Sequence, residues 1–185
     1  MSLKSIFFYF SVFLFSMNSL EVFSQETSDS LLVAINDSIL GFEANDHFEN
    51  SEVINEIISY AKEFLGTPYK YSGTSPLGFD CSGFIYYVMG NFGFRLTHSS
   101  YGMAEFGETV MLSKVRPGDL LFFKGRNINS TNISHVAMVI ENGPDGIKMI
   151  HSSTSRGVVI DNFSKSKYFI PRFLKAKRLD YGVEE

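Results

Sequence analysis

The chain has 185 residues, one cysteine, no tryptophan and a formal net charge of −4. One cysteine excludes an intramolecular disulfide framework and a cysteine-rich zinc site, and the acidic balance argues against nucleic acid as the main partner. A hydrophobic content of 44% with 19% charged residues is that of a globular chain, long enough for one domain.

Residues 1–24 read as a secretory signal peptide. Lys4 supplies the positive start, Ile6 to Phe15 form the apolar run, and Val22 and Ser24 stand at the −3 and −1 positions of a cleavage site. The run is short for a membrane span, which needs about 20 apolar residues, so no stable span is expected after processing. No cysteine stands near the cleavage position, so no lipobox anchor is expected. The predicted location is secreted or periplasmic.

Residues 25–50 form a polar, acidic arm. Residues 25–65 hold nine acidic side chains against one basic one, Lys62, while residues 66–185 carry +4. The net charge therefore conceals an acidic N-terminal part and a mildly basic remainder. Either a face suited to an anionic polymer or ordinary surface scatter accounts for that remainder.

The domain proper is expected over residues 51–178, with a tail at 179–185. Apolar residues from Val53 to Leu65 recur every three to four positions and predict a helix over 51–65, capped by Ser51 and stopped by Gly66 and Pro68. A loop follows through Gly78. Asp80 can cap a second helix carrying Phe84, Ile85, Val88, Met89 and Phe92, with Gly93 as its stop. A short third helix is expected over 99–106. Then come strands at 119–123, 135–140, 147–152, 157–162 and 169–175. Helices first and antiparallel strands afterwards predict an α+β fold, with the helices packed on a sheet of five to six strands.

Cys81 falls in the first turn of the second helix. Free N–H groups and the helix dipole at that end would lower a thiol pKa and could hold an oxyanion. The alternative is a buried, inert cysteine. A reactive thiol needs a base, and of the four histidines His135 and His151 stand out at the ends of consecutive strands. A hairpin centred on Gly143 would make them direct cross-strand partners, one orienting the other. His98 is the rival for the orienting role. His47 lies in the arm. The histidine pair lacks a third ligand, so no metal is expected.

Five segments together resemble the NlpC-type peptidases, papain-like cysteine peptidases of cell-wall peptide stems. They are Gly66-Thr67-Pro68-Tyr69-Lys70-Tyr71, Gly78-Phe79-Asp80-Cys81-Ser82-Gly83-Phe84, Arg116-Pro117-Gly118-Asp119-Leu120, Ile133-Ser134-His135-Val136-Ala137 and Met149-Ile150-His151-Ser152. The resemblance implies Cys81 as nucleophile, His135 as general base and His151 as orienter. It also implies substrate contacts at Tyr71, Asp80, Ser82 and Ser100. Their plainer roles would be core for Tyr71, helix caps for Asp80 and Ser100, and a first-turn residue for Ser82. Two departures from the family pattern, Met103 and the run His98-Ser99-Ser100, concern one cleft wall. The implied activity is hydrolysis of the bond between D-glutamate and the following diamino acid, through a thioester and without a cofactor, by a monomer. The alternatives are a papain-like amidase or acyltransferase, or an inactive wall-binding module.

Overall fold

A computed structural model describes residues 52–181. The proposed signal peptide, the acidic arm and the Ser51 cap lie outside the described residues. Helix α1 spans 52–63 and buries Ile54, Ile57, Ile58 and Ala61, the spacing that predicted it. It stops short of the expected end. Residues 64–66 form a turn, with Gly66 at φ +85° donating to the Val158 carbonyl, and Leu65 is exposed. A small hairpin follows, β1 (Thr74–Ser75) with β2 (Gly78–Phe79), where the sequence suggests only loop. Helix α2 (Cys81–Gly90) ends before the expected Gly93, and α3 (Ser100–Met103) is a single turn capped by Ser99 rather than Ser100.

Six strands make one antiparallel sheet: β3 (Glu108–Val110), β4 (Leu120–Lys124), β5 (Ile133–Gly143), β6 (Gly146–Ser153), β7 (Gly157–Asn162) and β8 (Phe173–Arg178), in the order β3-β8-β4-β5-β6-β7. Strand β3 is a three-residue edge that its sequence does not announce. The last strand starts later than expected because Pro171 sits in a 3-10 turn over Ile170–Arg172, where a ladder N–H is not needed. Leu179 and Tyr181, assigned to a tail by sequence, are buried, and the Tyr181 hydroxyl donates to the Gly118 carbonyl at 2.7 Å.

Strand alternation divides the core in two. Leu120, Phe122, Val136, Met138 and Ile150 point to the helices and meet Ile57, Phe84, Ile85 and Val88. Leu121, Phe123, Ala137, Val139 and Met149 point the other way and are covered by Phe163 and Phe169 from the turns after β7. Both faces are thus buried, one under helices and one under loop aromatics.

The β5–β6 register corrects the expected histidine pairing. The turn at Pro144 and Asp145 sets Gly143 opposite Gly146, Asn142 opposite Ile147 and Glu141 opposite Lys148. Ile140 is then bulged out, and pairing resumes with Val139 opposite Met149 and Met138 opposite Ile150. Continued, that register sets Ala137 opposite His151. His135 is therefore the diagonal, same-face neighbour of His151 rather than its direct partner.

Asp119 ties the start of β4 to the end of β8. It is 1% exposed, accepts from Arg178 Nε at 2.9 Å and Nη2 at 2.8 Å, and accepts from the Arg116 backbone N–H at 2.9 Å. Removing it would leave the Arg178 guanidinium with only the Lys114 carbonyl at 3.0 Å and Glu108 at 3.9 Å. Asp119→Ala is expected to lower the unfolding free energy by about 3 kcal/mol in urea titrations, the low end for a broken buried pair.

Candidate active site

The site begins with how α2 starts. Asp80 adopts an extended conformation, and its Oδ1 accepts from the Gly83 N–H at 2.6 Å and from Ser82 Oγ at 3.0 Å. This is an N-cap that also fixes the side chain of the residue after Cys81. The helix start presses on the preceding loop. A Cβ on Gly83 would lie 1.9 Å from the Gly73 carbonyl oxygen, so only glycine fits there. Asp80 donates its own N–H to that same carbonyl at 3.0 Å. Cys81, the first helical residue, is thereby held at a fixed point.

Opposite it lies β5. Against β4 this strand carries a second bulge: Phe123 pairs with His135 and Lys124 with Ile133, leaving Ser134 as the extra residue. The bulge frees the Ser134 carbonyl from the ladder, and Cys81 Sγ lies 3.9 Å from that oxygen. The backbone N–H of Val136 also interacts with the sulfur. The thiol thus rests against strand residues on both sides of His135.

The thiol pKa does not follow the sequence expectation. Burial pushes it up, and the neighbouring Asp80 carboxylate adds to the rise. The N–H groups of Val136, Ser82 and Cys81 oppose this but do not outweigh it. Without substrate, Cys81 is a thiol rather than a standing thiolate.

On the loop-covered face, His135 Nε2 lies 3.0 Å from His151 Nδ1, and His151 Nε2 lies 3.0 Å from Asp161 Oδ2. Arg156 forks onto both Asp161 oxygens, with Nη1 at 3.0 Å from Oδ1. His151 is 1% exposed, so both its nitrogens must be satisfied inside the protein. The polarity of the chain follows. A carboxylate only accepts, so His151 Nε2–H donates to Asp161, and the other nitrogen of a neutral His151 ring accepts from His135 Nε2–H. His135 is left with an unprotonated Nδ1.

Each charge in the chain is set by its neighbours. Asp161 is held well below the usual carboxylate range by the hydrogen bond from His151 and the Arg156 ion pair. His135 is lowered to about 3, first by burial and then by the adjacent His151. The Phe169 ring stacks on His135 at 5.8 Å and meets His151 edge-on at 5.2 Å, walling the pair in hydrocarbon.

Sequence reasoning missed Asp161 and Arg156. The signal was present, because β6 and β7 pair His151 with Val159, which makes Asp161 its same-face diagonal neighbour. His98, the rival orienter, lies elsewhere: its Nε2 is 3.1 and 3.2 Å from the two Asp80 oxygens. Among the substrate-contact candidates, Asp80 and Ser82 adjoin Cys81, and both are largely buried. Ser100 opens α3 and is half-buried. Tyr71 is 85% exposed and so is not core. Tyr69 is the tyrosine that senses Cys81 and Asp80: burial raises its pKa and both groups add to the rise, keeping the phenol a donor. No group of three or more potential metal ligands converges among the described residues, and no described helix is long and apolar enough to cross a membrane.

A cavity of about 640 Å³ opens beside the histidine pair, bounded by His135, His151, Asp161 and Phe169. It meets the thiol region at Ser134, which lines it.

Comparison with known proteins places this arrangement. The chain is 39% identical over 124 residues to a gamma-DL-glutamyl hydrolase of Bacillus subtilis, a match over 66% of this chain and 29% of that protein. It is 31% identical over 141 residues to the murein DD-endopeptidase MepS/murein LD-carboxypeptidase of Escherichia coli K12, covering 74% of this chain and 70% of that one. Among solved structures, an NlpC/P60 family protein from Bacillus cereus aligns with a TM-score of 0.61 at 33% identity, over 68% of this chain and 39% of that one. The NlpC/p60 domain of the peptidoglycan hydrolase SagA aligns with a TM-score of 0.55 at 26% identity, over 66% of this chain and 96% of that one. The chain thus spans under a third of the Bacillus subtilis relative's length. Residues 66–178, which include both sides of the site, match the sequence model of the NlpC/P60 family, and the chain belongs to that family.

Proposed function

We propose that this protein is a cysteine peptidase that hydrolyses peptidoglycan stem peptides at the bond between D-glutamate and the following diamino acid. The observation that carries this reading is the chain His135–His151–Asp161, which leaves His135 Nδ1 unprotonated on the strand segment that holds Cys81. An unprotonated imidazole nitrogen on His135, and a thiol at a helix N-terminus that rests on the neighbouring Ser134 carbonyl, are the parts that acyl transfer requires. The names of the relatives, a gamma-DL-glutamyl hydrolase and a murein endopeptidase, supply the substrate class. With the signal-like first residues, they support action outside the cytoplasm.

In this mechanism His135 takes the Cys81 proton as sulfur attacks the glutamyl carbonyl. The raised thiol and lowered imidazole pKa values mean that proton and nucleophile move together, from a neutral pair. The tetrahedral oxyanion is held by the Cys81 backbone N–H and by the Tyr69 phenol. His135 then returns the proton to the departing amine, leaving a thioester. A water deprotonated by His135 hydrolyses the thioester and regenerates the thiol. Asp80 is positioned to receive a substrate ammonium, with Ser82 and His98 already on its oxygens.

The central test is muropeptide digestion followed by mass spectrometry. Cys81→Ala is expected to lose at least about 10⁴-fold in kcat while keeping the wild-type melting curve; full activity in that variant would refute the reading. Asp161→Asn weakens the carboxylate end of the chain and is expected to lower kcat by about 10–100-fold with little change in KM. Tyr69→Phe should lower kcat by about 10²-fold if the phenol holds the oxyanion, whereas Tyr71→Phe should leave kcat near wild type.

The lowered His135 pKa also sets a stability profile. Between pH 6.5 and about 3 the unfolded imidazole binds a proton that the folded one refuses, so stability is greatest above 6.5 and falls as pH drops through that window. The depressed Asp161 extends the loss below its unfolded value of 3.8. Urea unfolding at a series of pH values should show this decline, and His135→Asn should flatten it between 6.5 and 4.

A further inference from the structure

The cavity beyond His135 is charged in a way that the reaction above does not use. Lys124, Arg126, Arg156 and Lys165 line it, against a single acid, Asp161. Arg156 is consumed by Asp161, Lys165 has Asp145 within 3.6 Å, and Lys124 Nζ donates to the Ile128 carbonyl. The Arg126 guanidinium has no partner among the described residues. Its backbone, by contrast, is held. Arg172 donates from Nε to the Gly125 carbonyl at 3.2 Å and from Nη2 to the Arg126 carbonyl at 3.4 Å, while its own guanidinium carbon lies 3.9 Å over the Tyr168 ring. The loop is anchored and its cation is left uncommitted at the cavity.

The direction of the reaction decides what enters there. The group that protonates a leaving amine must lie beside that nitrogen. In the peptidase reading, on which this inference rests, that group is His135, and His135 is itself a wall of the cavity. The residue that begins with the departing nitrogen therefore extends into the cavity, which Asp80 does not line. We propose that this cavity binds a carboxylate of the leaving residue, with Arg126 as its principal partner. A guanidinium matches a carboxylate through two parallel N–H donors, and the surrounding lysines add attraction. A leaving residue whose side chain ends in an ammonium with no carboxylate beside it meets like charge instead. The enzyme should thus favour leaving residues rich in carboxylate, whether that group is the free α-carboxylate or a second one on the side chain.

Three synthetic substrates separate these sources: L-Ala-γ-D-Glu joined to meso-diaminopimelate, to L-lysine, or to L-lysine α-amide. Wild-type kcat/KM is expected to rise about tenfold from the amide to the free α-carboxylate. It should rise again with the side-chain carboxylate. Both steps should shrink in high salt because Arg126 is exposed. Arg126→Gln should bring the three values within about threefold of one another, and Arg126→Lys should restore part of the spread. Equal cleavage of acid and amide by the wild type, or an unchanged spread in Arg126→Gln, would overturn the proposal and leave the peptidase reading standing. Failure to cleave any of the three would instead refute that reading. Calorimetric titration of Cys81→Ala with free diaminopimelate and with lysine amide then decides the cavity separately: preferential, Arg126-dependent binding of the diacid supports it, and equal or absent binding refutes it.

Discussion

The constraint on which the site depends is the burial of His151. An imidazole with almost no exposure must satisfy two nitrogens from within the protein, and for a neutral ring one assignment of protons does so here. Asp161 can only accept, so it fixes the first proton; the second follows, and with it the state of His135. Arg156 keeps Asp161 ionised and in place. The proton on His135 is thus decided at the far end of three linked side chains, on strands β5, β6 and β7. Phe169 packs one side of the arrangement, stacking on His135 and meeting His151 edge-on.

The thiol approaches the strand that carries His135 from the opposite layer. Helix α2 belongs to the helical face of the sheet, whereas the histidines belong to the loop-covered face. The two meet at Ser134, where the bulge turns a ladder carbonyl toward sulfur. This geometry explains why helix polarity does not govern the Cys81 pKa. A helix end in water would lower it, but here the same end is packed against strand and beside a carboxylate, and desolvation outweighs the dipole.

Much of this was legible in the residues. Ile54, Ile57, Ile58 and Ala61 announce α1, and Asp80 followed by Cys81 and Gly83 announces a capped helix start with a close backbone approach. Alternation in β5 and β6 announces the sheet. What escaped depended on contacts distant in sequence. Asp161 reads as an ordinary polar strand residue until β7 is set beside β6. The segment 169–172 reads as strand because its apolar residues suit one, yet Phe169 covers the sheet from outside it while Ile170 and Pro171 are exposed. Tyr69 and Tyr71 differ by two positions in a loop, where neither periodicity nor spacing tells which one turns inward. Local pattern specifies element type, whereas register and loop direction are set by packing.

The bulge at Ile140 has a consequence for how this hairpin can vary. The turn alone would set Met138 opposite His151, and the two histidines would then project from opposite faces of the sheet. The one extra residue restores the parity that puts them together. Side chains at the exposed positions 141, 144 and 145 are little constrained, but the number of residues over 140–146 is fixed to within an even count. Gain or loss of a single residue would keep the strands paired and the fold recognisable while separating His135 from His151 by the thickness of the sheet. Divergent members of such a lineage are limited at this point by arithmetic rather than by side-chain chemistry.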